Sequence, residues 1–331
     1  MTEVTKRPVF VIGCHRSGTS FLYHSILSSG DFVVYRSETG VWDRLVPLFG
    51  DLRVLENRKR MMKVWLRSKM FRRTGLKAEQ IEPRIMAECE TGGDFLGIVM
   101  EEMARAQNVS RWATWSPDNI FYIPEIKRQL PKALFIHIIR DGRDVATVLD
   151  KKGWIKPLPW DQENSLLVAG VYWEWMVCTG LRNLRRLGRD YIEVRYEDLI
   201  ASPREKFARL GDFIGHDLDY DRIQQAGIGT VTDPNSTFKA EFQEGTFNPV
   251  GRWKEKLSPS QVSGLENVIG ATLDELGYPR ASDINSVSPE LAMLRRFYRS
   301  YFELKLWLKC RTPLGRFASK QPLELIEETQ Q

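Results

Sequence analysis

Residues 8 to 22 concentrate a cation, three hydroxyls and two glycines in one turn: Pro8-Val-Phe-Val-Ile-Gly-Cys-His-Arg-Ser-Gly-Thr-Ser-Phe-Leu22. An apolar run leads into the turn and a helical stretch leaves it. A helix start gathers unpaired backbone N–H groups and the positive end of the helix dipole, so this turn suits an anion. Gly13 and Gly18 keep the spacing of the phosphate-loop pattern G-x-x-x-x-G-K-[ST]. Thr19 stands at the lysine position, and the cation has moved inside the turn, to Arg16. A nucleoside triphosphatase without that lysine is crippled, so the turn predicts a phosphate-type cradle built for different chemistry.

Three further clusters follow in order. The run 133–139 ends at Arg140, where a metal-binding phosphate-loop strand would end in aspartate. A cation at the carboxyl end of a buried strand is costly unless an anion meets it. Val194-Arg-Tyr-Glu-Asp-Leu199 ends another strand with Tyr196, and Glu197 and Asp198 are read there as caps of the next helix. Asn248-Pro-Val-Gly-Arg-Trp-Lys254 sets two cations and an indole after a flexible glycine.

Together these motifs resemble the sulfotransferases that use 3′-phosphoadenosine-5′-phosphosulfate (PAPS). Gly13 to Leu22 is similar to the family's 5′-phosphosulfate loop. Ile138-Ile-Arg-Asp-Gly-Arg-Asp-Val-Ala146 is similar to its 3′-phosphate segment, and Val194 to Leu199 to its nucleotide-flanking strand end. Residues 248–254 are similar to the late loop that closes on the 3′-phosphate. The ordered set spans residues 8–257. The resemblance implies a P-loop-like parallel sheet flanked by helices, an α/β fold. It also implies sulfuryl transfer from PAPS to a hydroxyl acceptor, leaving adenosine 3′,5′-bisphosphate.

On that resemblance Arg16 is the catalytic cation, neutralising the bridging oxygen as the S–O bond breaks. His15, Ser17, Gly18, Thr19 and Ser20 line the 5′ side. Arg140 binds the 3′-phosphate. Tyr196 lies near the adenosine half, and Gly251, Arg252, Trp253 and Lys254 close over the 3′-phosphate. The family serine eight residues after the arginine is Val148 here, with Thr147 beside it as a substitute hydroxyl. Cationic side chains take the place of Mg²⁺, so no metal is expected.

An acceptor hydroxyl needs a base within hydrogen-bond reach. The Lys-Thr-His motif of many cytosolic members aligns with Trp115-Ser-Pro-Asp118, where Trp115 and Pro117 replace the lysine and the histidine. The tyrosylprotein and some glycan sulfotransferases place a glutamate about one strand after the loop. Glu38, in Arg36-Ser-Glu-Thr39, fits that place and is the expected base, with Asp118 as the alternative. A glycan, glycolipid or other small metabolite is the expected acceptor. A P-loop small-molecule kinase and a catalytically degenerate nucleotide-binding member of the fold are the competing readings.

The elements must bring these residues to one edge. Strands are expected at 8–13, 32–35, 111–115, 133–139 and 190–195. Their short apolar runs suit strands buried on both faces. Helices are expected at 18–29, 54–71, 79–107, 118–129, 142–151, 164–187, 203–214, 258–275 and 289–310. Strands alternating with helices predict a parallel sheet, with ligands beyond the strands' carboxyl ends. Residues 1–280 read as the sulfotransferase domain, with a helical acceptor-binding insert at 40–110 carrying Trp42, Trp65 and Phe95. Trp154 and Trp160 suit an acceptor lid.

The net charge of +5 over 331 residues suits an anionic small molecule, and no dense basic stripe with interleaved aromatics suggests nucleic acid. The four cysteines form no C-x-x-C pair, which fits reduced thiols. No leader and no apolar run of 18 residues is evident. A bacterial-type cytoplasmic protein is therefore expected. Residues 281–331 read as a basic amphipathic helix and tail. That helix packs on its own domain, touches the inner face of a membrane, or meets a second copy.

Overall fold

The computed structural model describes residues 7–228, 249–282 and 288–312. Four parallel strands form one sheet in the order β2-β1-β3-β4: β1 (Val9–Ile12), β2 (Ala113–Trp115), β3 (Leu134–Ile139) and β4 (Tyr191–Arg195). Alternate residues serve opposite faces. Phe10, Ile12 and Phe135 face one hydrophobic cluster, while Val9, Val11 and Ile136 face another. β1 and β3 are thus buried on both faces, as their apolar runs require, whereas the edge strand β4, with Glu193 and Arg195 in its run, is only partly buried.

One side is covered by α1 (Thr19–Ser28) and α8 (Pro203–Ile214). The other carries the insert helices α2 (Leu55–Trp65), α3 (Ala78–Glu88) and α4 (Gly92–Gln107), with α5 (Gly142–Lys152) and α6 (Ser165–Leu184). The short α7 (Tyr196–Ala201) follows β4 directly. On α6 rest α9 (Pro259–Glu275) and α10 (Pro289–Arg311).

Four expected elements differ. Residues 32–35 form no strand: one parallel bridge joins Phe32 to Arg111, and the Gln107 side-chain amide takes both backbone groups of Val34. A side chain there does the pairing that a strand would do. The helix expected at 54–71 breaks at Ser68, whose hydroxyl accepts the Phe71 N–H and caps a new helix over Lys69–Thr74. The helix expected at 79–107 breaks before Thr91 and Asp94, which form a reciprocal capping box. Residues 118–129 likewise divide into a 3₁₀ turn, Pro117–Phe121, and a short helix, Ile123–Gln129.

Candidate active site

The turn between β1 and α1 is shaped by backbone geometry. Arg16 is left-handed at φ 69°, unusual for a residue with a side chain, and Gly18 has φ 95°. A Cβ on Gly18 would lie 2.5 Å from the Tyr196 ring. Gly18 precedes α1, and no carboxylate occupies the first turn. Among the described residues, no side chain caps this helix start. Ser17 is fully buried, with no hydrogen-bond partner for its hydroxyl among the described residues. An anion suits these donors. Ser20 faces His24 of the same helix, with its hydroxyl 3.3 Å from the ring.

Arg140 ties the distant motifs together. It donates to the Arg16 carbonyl at 3.2 Å and to the Pro249 carbonyl, and lies 4.7 Å from the centroid of the Tyr196 ring. The Asp144 carboxylate is 3.5 Å away and accepts the N–H groups of Gly251 and Trp253 at 2.8 and 2.9 Å. One arginine and one aspartate on a single turn thereby hold the phosphate loop, the Tyr196 strand end and the late loop. Arg140 Nε is buried with no hydrogen-bond partner among the described residues.

Trp253 is buried, and the Arg143 guanidinium lies 3.9 Å from its ring centroid, so this indole anchors the late loop. Arg143, itself buried, also pairs with Asp141 and Glu266. Arg252 is half-buried and Lys254 exposed. Asn248 lies outside the described residues. Thr147 does not replace the missing serine, because its hydroxyl donates to the Arg143 carbonyl at 2.7 Å. Glu197 also departs from its reading as a cap of the next helix. It accepts the Asp141 N–H at 2.9 Å and the Tyr278 hydroxyl at 2.9 Å.

At the carboxyl end of β2, three carboxylates surround His15. Its Nε2 is 3.7 Å from Asp118, and its ring stacks on Tyr172 at 6.2 Å. Burial alone would lower the His15 pKa; Asp118, Glu38 and Asp43 outweigh it and raise it. Asp118 moves the other way: burial favours its proton, but His15, Lys309 and Arg44 prevail and lower its pKa. Glu38 is raised by burial despite Arg44 at 2.9 Å. Its neighbour Thr39 meets Thr114 of β2, hydroxyl to hydroxyl, at 3.3 Å. Glu38 therefore stands at the sheet edge even though no strand precedes it.

Asp43 and Asp144 are the site residues that sequence reasoning missed. Asp43 is 1% exposed and pairs with Arg44. Asp144 follows Arg140 by four residues, and that spacing was the available signal.

The aromatics of the insert part company. Trp65 and Phe95 of the insert pack on each other at 5.0 Å in the core, and buried Trp42 donates to Gln129. A pocket of 210 Å³ opens at Asp118, walled by Trp154, Tyr172 and Trp175 and by Phe302, Lys305 and Lys309 of α10. Trp154 reaches Arg16, with the guanidinium 5.7 Å from its ring centroid.

A family model described as Sulfotransferase family matches residues 8–220. An inferred protein-tyrosine sulfotransferase of Caenorhabditis briggsae is 27% identical over 184 residues, covering 54% of this chain and 62% of that protein. Carbohydrate sulfotransferase 1 of Danio rerio is 33% identical over 106 residues, 31% of this chain and 25% of that protein. The chain thus spans less than two thirds of the length of these curated relatives. Among solved structures, the sulfotransferase domain from the curacin biosynthetic pathway aligns with a TM-score of 0.52 at 16% identity. That alignment covers 83% of this chain and 98% of that one.

Proposed function

The chain belongs to the sulfotransferase family, and on that premise we propose that it transfers a sulfuryl group from PAPS to a hydroxyl acceptor without a metal. The observation that carries this reading is the convergence on Arg140. A single buried guanidinium touches the phosphate loop, Tyr196 and the late loop, and Asp144 completes the frame. Such a frame suits a nucleotide charged at both its 5′ and 3′ ends.

Loop amides and the Ser17, Thr19 and Ser20 hydroxyls hold the 5′-phosphate, with His15 at the loop's outer side. Arg140, Arg252 and Lys254 serve the 3′-phosphate. Gly251 gives the late loop its left-handed turn, and Trp253 anchors it. The acceptor oxygen attacks sulfur from the pocket side while its proton passes to Glu38. The S–O bond to the phosphate breaks, and its electron pair leaves with adenosine 3′,5′-bisphosphate, stabilised by Arg16. Burial supports Glu38 as base, because a raised carboxyl is a stronger base than an ordinary one. Asp118, held low beside His15, is the weaker base and serves as counter-ion.

The relatives named as carbohydrate and protein-tyrosine sulfotransferases support an acceptor that offers a hydroxyl. The four cysteines, none joined to another, support a reducing, cytoplasmic setting. The test is a panel of glycans, glycolipids and phenols incubated with isotope-labelled PAPS in excess EDTA and read by mass spectrometry. A labelled sulfuryl group on one hydroxyl class is expected. Transfer that needs Mg²⁺ and accepts ATP in place of PAPS would mark a kinase. Donor binding without turnover of any acceptor would mark a degenerate member.

A further inference from the structure

The helix α10 is apolar on two opposite faces. Inward, Tyr298 and Phe302 are buried, and Phe302 stacks on Trp175 at 5.5 Å. Arg295 pairs with the fully buried Glu174 at 2.7 Å. Outward, Met293, Phe297, Leu304 and Trp307 are 70%, 49%, 56% and 52% exposed. Their spacing of four, seven and three residues puts them on one stripe of the helix, opposite the packed face. A large apolar stripe left in water marks a surface meant to be covered.

Charge identifies the cover. Residues 289–311 carry six cations; Arg295 is neutralised by Glu174 and Lys309 turns inward to the pocket at Asp118, which leaves Arg296, Arg299, Lys305 and Arg311 against Glu290 and Glu303, a net +2 toward solvent. A second copy would set that charge against its like, whereas an anionic bilayer neutralises it. The helix also leads to the chemistry. An 890 Å³ cleft begins at Trp307 of the stripe and runs along Leu306, Lys309 and Trp175. Those last three residues also line the smaller pocket that ends at Asp118.

We propose that α10 seats the enzyme on an anionic bilayer through Met293, Phe297, Leu304 and Trp307, and that its acceptor is an amphiphile drawn from that bilayer through the cleft. The word acceptor rests on the sulfotransferase reading; the docking face does not.

The full chain is sedimented with vesicles of phosphatidylglycerol and phosphatidylcholine, and with vesicles of phosphatidylcholine alone. Binding to the anionic vesicles at least about tenfold tighter is expected, weakening with salt. The double variant Phe297→Glu, Leu304→Glu should lose that binding while its affinity for adenosine 3′,5′-bisphosphate, read by calorimetry, stays at the wild-type value. Equal binding to both vesicles, or unchanged binding by the variant, overturns the docking face. A wild-type dimer that the variant dissolves also overturns it, since the stripe would then cover itself. For the acceptor, isotope-labelled PAPS is supplied with lipid vesicles and with the water-soluble metabolites of the same cells. Label in the lipid fraction is expected. Label only in the aqueous fraction, or in neither, overturns the amphiphile. A wild-type chain that prefers the anionic vesicles but does not bind adenosine 3′,5′-bisphosphate would support the docking face and remove the PAPS-donor reading instead.

Discussion

Asp144 stands 3.5 Å from Arg140 on the first turn of α5, and its carboxylate also receives the backbone N–H groups of Gly251 and Trp253. The pair converts a local i,i+4 contact into a clamp between two loops more than a hundred residues apart. Asp144→Asn should free the late loop and leave the 5′ side intact. Affinity for adenosine 3′,5′-bisphosphate should fall about tenfold or more, while affinity for 5′-AMP changes little. Calorimetry with both nucleotides separates this from general damage, which would weaken both.

Arg143 carries stability. Its guanidinium is buried between Asp141, Glu266 and the Trp253 ring. Arg143→Met keeps much of the bulk but strands two carboxylates. Removing one partner of a buried ion pair costs about 3–5 kcal/mol. Urea denaturation should show a loss of that size, and a loss under about 1 kcal/mol would contradict the role.

Gly18 tests the cradle. Alanine there must adopt φ 95° and put its Cβ 2.5 Å from the Tyr196 ring. Gly18→Ala should cost about 1–3 kcal/mol and weaken nucleotide binding sharply. Thermal unfolding and calorimetry read the two effects; a stable variant that binds normally would show that the turn tolerates another shape.

The two candidate bases separate in single-turnover rates at saturating donor. Glu38→Gln should slow the chemical step by about 10²–10⁴-fold and leave donor binding unchanged. The Glu38 carboxyl is raised above its ordinary 4.5, so the wild-type rate should fall as pH drops through that raised value, and the variant should lack this limb. A collapse for Asp118→Asn with near-normal Glu38→Gln would reverse the roles.

The His15–Asp118 pair has its own pH window. His15 is raised above 6.5, so its contribution is full below 6.5 and fades as pH rises through the folded value. Asp118 is lowered below 3.8, so its contribution is present above 3.8 and fades as pH falls through the folded value. The stability difference between wild type and Asp118→Asn should therefore be greatest between about pH 4 and 6.5 and narrow on both sides. Thermal midpoints across pH check this; a flat difference would mean that the pair does not titrate as a unit.

The parts legible in the sequence were those set by short-range pattern. The runs ending at Ile12 and Ile139 are apolar, and each leads to a turn, so strand and phosphate site could be read together. Breaks inside the long helical stretches were written in Ser68 and in the Thr91–Asp94 box, whose capping chemistry outweighs apolar periodicity. The loss of a strand at 32–35 could not be read, because it depends on Gln107 reaching back to Val34. Asp144 reads as an ordinary helix-start charge, since Gly251 and Trp253, whose N–H groups it accepts, arrive only on folding. The pocket at Asp118 could not be read for the same reason: part of its wall comes from Phe302, Lys305 and Lys309, far along the chain.

The central claim is that this cradle is built for a nucleotide with a 3′-phosphate, and calorimetry on the wild-type chain tests it without knowledge of the acceptor. Adenosine 3′,5′-bisphosphate and 5′-AMP are titrated in EDTA. The account predicts that the bisphosphate binds more than about tenfold tighter, because charge-assisted contacts to its 3′-phosphate are worth about 1.5–3 kcal/mol. Equal affinities, or binding of ATP in preference to the bisphosphate, would contradict it.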